Sequence, residues 1–249
     1  MPRVLEQDGG ASDERRGKMR ERWDIEAVLL DMDGTLLDTE TVYCESLLAA
    51  LTGLGYTDDI AALCHSMIGI PAPECEIMLL EHYGKDFPLA DLNQAFGAKR
   101  DEILKAGLPL KNGAVELLDA LQAARCPMAI VTSSSRRTAD QHLTLAGIRA
   151  RFATVLTRDD VARGKPSPDL FRLAAARLRT KPQCCLAVED SNPGVTAAHA
   201  AGAITVMVPD IVPPTEAART KCAAVLPDLH AVLELLQTRG GLMRPSAHS

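Results

Sequence analysis

Residues 27–38 read Ala27-Val28-Leu29-Leu30-Asp31-Met32-Asp33-Gly34-Thr35-Leu36-Leu37-Asp38. An apolar run without polar alternation, ending in acidic residues and a glycine, predicts a strand over Ala27-Asp31 that is buried on both faces. Gly34 lets the chain turn sharply just beyond it. In open α/β sheets the ligand crevice lies at the carboxyl ends of the strands, so Asp31 and Asp33 are delivered where binding occurs. Two carboxylates so close repel. A divalent cation relieves that conflict, as does a division of labour in which one stays ionised and the other carries a proton. Taken alone the stretch also reads as an ordinary turn after a buried strand, so the rest of the chain has to decide.

Outward from this point, short apolar runs alternate with helical patterns, the signature of βαβ units and a parallel sheet. The runs are Met128-Thr132, Ala153-Leu156, Leu186-Glu189 and Ile204-Val208. Apolar stripes at Val115, Leu118 and Leu121, and at Leu170, Leu173, Ala174 and Leu178, predict helices that cover the sheet. From about Thr41 to Gly107 only helix signals occur. Tyr43, Leu47, Ala50, Leu51 and Leu54 share one face, Pro71 opens another helix and Gly84 closes it. More than sixty residues far exceed what one crossover requires, so the segment reads as an all-helical insertion after the first strand. The fold class is α/β, a Rossmann-like parallel sheet with helices on both faces plus a small helical unit. The expected division is a disordered leader over 1–22, a core over 23–40 and 108–239, a helical insertion over 41–107 and a disordered tail over 240–249. Met19 is an alternative start.

Composition narrows the function. At 249 residues the chain is long enough for one α/β domain and a smaller unit. Seven cysteines, an odd number with no CxxC pair, fit a reducing compartment better than a disulfide framework. The N-terminus lacks the apolar core of a signal peptide, and nowhere do eighteen apolar residues run together, which predicts a cytoplasmic protein without a membrane span. A net charge of −6 and 3% aromatic residues argue against binding a nucleic acid polymer.

Three further segments lie at or just after strand ends. Thr132-Ser133-Ser134 offers a hydroxyl and amides for a phosphoryl oxygen, or merely a helix cap. Lys165, in the proline-stiffened Gly164-Lys165-Pro166-Ser167-Pro168-Asp169, can hold a carboxylate and a phosphate, or simply face solvent. Glu189-Asp190-Ser191, before Pro193-Gly194, supplies hard oxygen ligands suited to magnesium, or a cap for the next helix. None of His65, His82 and His142 has metal-ligand spacing, and each reads as helix surface or edge.

In this order and spacing the four segments resemble the haloacid dehalogenase superfamily, phosphatase branch, from about Glu26 to Pro209. The resemblance implies a Mg2+-dependent phosphatase acting on a small phosphorylated metabolite, of the sugar phosphate or nucleoside monophosphate class. By it, Asp31 is the nucleophile that becomes an aspartyl phosphate, and Asp33 is the acid and then the base. Magnesium falls to Asp31, the backbone carbonyl of Asp33, and Asp190, with Glu189 as a further or water-mediated ligand. Thr132, the Ser133 amide and Lys165 cradle the transferring group. The helical insertion looks like the family's cap. An aspartate at the acid position favours phosphate esters over dehalogenation. Similar members include β-phosphoglucomutase and the sugar-phosphate and pseudouridine-5'-phosphate phosphatases. The mutase pattern has a histidine where Tyr43 stands and an arginine within what is here Ile68-Gly69-Ile70-Pro71-Ala72-Pro73, so phosphatase is preferred over mutase. A silent metabolite-binding member is the other alternative, and a monomer is the default.

Overall fold

The computed structural model describes residues 22–67, 70 and 72–239. The expected leader (but for Arg22) and tail, Met19, and the assignment of Pro71 as a helix opener lie outside them.

Six parallel strands form the sheet: β1 (Ala27–Leu30), β2 (Met128–Val131), β3 (Thr154–Leu156), β4 (Cys185–Glu189), β5 (Ile204–Met207) and β6 (Ala224–Val225). Their order is β3-β2-β1-β4-β5-β6. The chain moves from β1 to one side for β2 and β3, then crosses back to lay β4 on the other side of β1. The β1/β4 boundary is therefore the switch point, beyond which helices diverge and leave a crevice. β6, only two residues long, lies in the apolar run Cys222-Ala223-Ala224-Val225-Leu226 and was not among the expected strands.

β1 is buried on both faces because its side chains alternate between two cores. Val28 and Leu30 pack with α5 (Ala114–Ala123), α6 (Arg136–Leu145) and α10 (Leu229–Arg239). Ala27 and Leu29 pack with α7 (Asp169–Arg177) and α8 (Asn192–Ala201). The α5 stripe differs from expectation at one position. Val115 is 44% exposed, and Ala114, Leu117, Leu118 and Leu121 make the buried face. In α7 the stripe is broadened by Phe171, which is fully buried. A short α9 (Glu216–Arg219) precedes β6.

Among the described residues the named elements between β1 and α5 are helices: α1 (Thr39–Gly53), α2 (Ile60–Ser66), α3 (Ala72–Tyr83) and α4 (Leu89–Leu104). Leu47, Ala50 and Leu51 of α1 are buried against Cys64, Leu79, Phe87 and Leu92 in an apolar cluster separate from the two sheet cores. Gly84, with φ +97°, ends α3. The strands entering and leaving this unit run side by side. Leu37 bridges Leu110, Asp38 N–H donates to Pro109 O at 2.9 Å and Lys111 N–H to Leu36 O at 2.9 Å. The Lys111 ammonium ties them further, donating to Asp38 at 3.3 Å and to Asp210 at 2.6 Å. Among the described residues no helix is long and apolar enough to cross a membrane.

Candidate active site

The carboxyl ends of β1 and β4 bring Asp31, Glu189 and Asp190 together, with one ligand oxygen from each lying within 4.8 Å of the others. Lys165 enters from the loop before α7 and is buried, its side chain only 4% exposed. It donates to Asp31 Oδ1 at 2.5 Å and to the Val131 carbonyl at 2.8 Å, and pairs with Glu189 Oε1 at 2.5 Å. Its three donors are thus spent inside the protein, and its ammonium lies 5.5 Å from the centre of the Phe171 ring. The solvent-facing alternative for this lysine is excluded. What the sequence could not show is that Lys165 is saturated by protein groups, so it acts on a bound anion through its charge.

Glu189 is fully buried. Its Oε2 accepts from the Ser191 hydroxyl at 3.0 Å while Ser191 also caps α8, accepting from Gly194 N–H at 3.1 Å. Any side chain at 194 would collide with the Glu189 carboxylate, which explains the glycine. The cap reading of Glu189-Asp190-Ser191 is therefore right for Ser191, and it leaves Asp190 free for the cluster. Asp190 accepts only a long 3.4 Å bond from Thr35. Gly34 has φ +80°, and a Cβ there would run into Asp190, so the turn needs glycine for both reasons.

Charge counting says what this cluster lacks. Three carboxylates face one ammonium, a net of −2 when all are ionised, with Asp31, Glu189 and Lys165 buried and Asp190 half-buried. Burial pushes the Asp31 carboxyl up to about 8 against the pull of Lys165, with Glu189 and Asp33 adding to the rise. Asp190 is driven well above the usual carboxylate range, first by burial and then by Asp31 and Glu189. Burial disfavours the Lys165 ammonium too, but Asp31 and Glu189 outweigh it and hold its pKa above the ordinary lysine value. A divalent cation would supply the missing two charges, and an all-oxygen donor set suits a hard one. The oxygens of Glu189 are already engaged, which leaves Asp31 and Asp190 as the carboxylates with capacity for it.

Asp33 points away from this cluster. Its Oδ2 accepts from the Ser134 hydroxyl at 2.7 Å and from Thr132 at 3.5 Å, and its Oδ1 lies 3.2 Å from His142 Nδ1. Thr132 is buried at the end of β2 and its hydroxyl accepts the Ser134 amide at 3.0 Å. Ser133 is exposed between them. Ser134 and His142 were not among the expected site residues, and the surface reading of His142 is corrected here, whereas His65 and His82 are exposed as expected. A spacing of four links Ser134, just before α6, to Thr138 and His142 along the helix in one polar stripe. That was the available signal.

Asp33, Ser134, Thr138 and His142 form one side of a cavity of about 490 Å³. The facing side comes from the helical unit, with Val42, Tyr43, Met67, Ile70, Phe96 and Arg100. The wall opposite the carboxylates is thus largely apolar and aromatic. Tyr43 and Phe96 meet edge to face at 5.3 Å, and the Arg100 guanidinium lies 5.9 Å from the Phe96 ring centre.

Comparison with known proteins agrees with this geometry. Residues 25–202 match the family model for haloacid dehalogenase-like hydrolases. The chain is 31% identical over 180 residues to a phosphorylated carbohydrates phosphatase of Thermotoga maritima, an alignment covering 72% of this chain and 82% of that one. It is 33% identical over 189 residues to a bifunctional riboflavin kinase/FMN phosphatase of Arabidopsis thaliana, covering 74% of this chain but about half, 48%, of that longer protein. A haloacid dehalogenase family hydrolase from Deinococcus radiodurans, solved with bound phosphate and sodium, superimposes with a TM-score of 0.75 at 29% identity, over 90% of this chain and 99% of that one. The chain belongs to the haloacid dehalogenase-like hydrolase family, and its place there is with the phosphatases.

Proposed function

We propose that this hydrolase cleaves small phosphate monoesters, of the sugar phosphate or nucleoside monophosphate class, through an aspartyl phosphate on Asp31. The observation that carries the reading is the separation of roles two residues apart. Asp31 is buried against Lys165, while Asp33 is turned into the cavity with both oxygens held by hydrogen-bonding partners. An Asp31 oxygen attacks phosphorus as the ester P–O bond breaks, and Asp33 gives its proton to the leaving oxygen. Asp33, now ionised, takes a proton from a water that attacks the phosphorus of the aspartyl phosphate. Inorganic phosphate leaves and Asp31 is restored. Thr132 and the Ser133 amide would cradle the transferring group, and the Lys165 charge would offset part of its negative charge.

Asp31, Asp190 and the backbone carbonyl of Asp33 would hold Mg2+, which supplies the remaining positive charge against the phosphoryl group. Residues 23–40 and 108–239 would act as the catalytic core, and 41–107 as a cap that closes the cavity and excludes water. The two ester classes are supported by relatives named for phosphorylated carbohydrates and for pseudouridine 5'-phosphate. A monomer in a reducing cytoplasm completes the reading, in keeping with seven free thiols.

The test is phosphate release from a panel of sugar phosphates, nucleoside monophosphates and phosphoglycolate, with magnesium or with chelator, and with Asp31→Asn as control. Magnesium-dependent release that disappears in the variant is expected. Release that survives Asp31→Asn would remove the nucleophile and the reading with it.

A further inference from the structure

We propose that His142 is a positioning residue for Asp33, holding the carboxyl of the proton donor in the plane from which it reaches the leaving oxygen. This rests on the assignment of Asp33 as the acid. His142 sits on α6 two turns beyond Ser134, and its Nδ1 meets Asp33 Oδ1 at 3.2 Å while Ser134 holds Oδ2 at 2.7 Å. A carboxyl gripped at one oxygen pivots about that bond. Gripped at both, it is fixed in orientation. Ser134 lies just before the Ser135 N-cap of α6 and His142 in the last turn of the same helix, so the two grips on Asp33 come from opposite ends of one short rigid element. The side chains are about a quarter exposed, 23% for His142 and 28% for Asp33, so the pair borders the cavity without being open to bulk water.

An imidazole suits a partner that alternates between acid and base. Its N–H donates to the ionised carboxylate, and in the other tautomer its bare nitrogen accepts from the protonated carboxyl. His142 touches no reacting atom in this scheme.

Leaving-group dependence tests the role. An aryl ester such as p-nitrophenyl phosphate expels a stable phenolate without needing a proton, whereas a primary-alkyl ester needs the acid. Since kcat/KM reports events up to phosphorylation of Asp31, it isolates the step in which Asp33 donates. His142→Ala is expected to lower kcat/KM for the best alkyl ester of the panel by about 10–100-fold, part of what general acid catalysis supplies, and to leave the aryl ester within about threefold. His142→Asn, which keeps a hydrogen-bonding atom near the Nδ1 position, should recover most of the alkyl activity. Equal losses on both esters, or no loss on the alkyl ester, would overturn the proposal. Asp33→Asn, run beside it, separates the layers. If Asp33→Asn discriminates between the esters and His142→Ala does not, only the positioning role fails; if Asp33→Asn does not discriminate, the acid assignment fails and His142 goes with it.

Discussion

The two walls of the cavity are built on opposite principles. On the sheet side the lining Asp33 is held by Ser134 and His142, and behind it charged groups are buried and exhaust one another's hydrogen-bonding capacity, as Lys165 does among Asp31, Val131 and Glu189. On the helical side, apolar and aromatic side chains from α1 and α4 dominate the same space, with Thr39, Glu40 and Arg100 as the polar exceptions. The first arrangement is intolerant of change, since each member holds a charge that the others must balance. The second can be altered residue by residue without disturbing the chemistry. On the proposed reading, reaction type lives in the sheet and substrate choice in the helices.

The largest expected effect breaks the sheet side at its one cation. Lys165→Met leaves Glu189 without its ion partner in a site closed to water, and breaking a buried pair in this way costs about 3–5 kcal/mol. Turnover should fall beyond detection and the melting temperature should drop steeply. Asp31→Asn removes a charge whose ionisation burial already opposes, so turnover should vanish while the magnesium-free melting temperature holds or rises. Calorimetry on both variants checks the pair. If Asp31→Asn were the more destabilising, the charge count at this site would be wrong.

The difference between the walls also governs what could be read from sequence. β1, β2, β4 and β5 are apolar runs because both faces are covered, and a run is visible in one dimension. The carboxylates follow the runs directly, so Asp31, Asp33, Glu189 and Asp190 were legible in position. Lys165 was legible as a residue but not as a buried one, because its burial depends on three partners between 24 and 134 residues away. His142 was misread for the same reason. A helical period shows which residues share a face and says nothing about the strand that the face meets. In the helical unit the ambiguity is deeper, since Tyr43 and Phe96 pack on the unit's own core and line the cavity as well. An apolar stripe cannot separate those duties. Val115 shows the converse, an apolar residue in step with the stripe that stays exposed.

A middle-sized effect sharpens the sheet side through pH. Asp31 and Asp190 both have folded-state pKa values above their ordinary ones, Asp31 at about 8. Between the ordinary carboxylate range and that value the folded protein binds more protons than the unfolded chain, so stability falls as pH rises. The contribution is complete below the unfolded pKa and lost as pH passes through the folded one. A divalent cation competes with those same protons, so its affinity grows across the window. With chelator present, the melting temperature should decline from pH 5.5 to 8.5 more steeply than in an Asp31→Asn, Asp190→Asn double variant. Saturating magnesium should raise it most at the alkaline end, by the equivalent of about 2–3 kcal/mol at a hundred times the dissociation constant. A magnesium increment that shrank with rising pH would place the cation elsewhere.

The smallest effect tests the helical side. Arg100 is exposed, lies over the edge of the cavity beside Phe96, and pairs only with its neighbour Asp101 at 2.9 Å. Removing it as Arg100→Ala costs little stability, because that ion pair is open to solvent. An ester whose leaving group fills the cavity should lose about tenfold in kcat/KM, some 1.4 kcal/mol, mostly through KM. A compact ester such as phosphoglycolate, whose leaving group is too short to reach α4, should be unchanged. Phe96→Ala should rank esters the same way, with some loss of melting temperature because the edge-to-face contact with Tyr43 is lost as well. The ratio between large and compact esters is the informative quantity, since it cancels any general damage to the fold. If both esters lost equally, α4 would be acting on the carboxylates rather than on the leaving group, and the division of labour between the two walls would not hold.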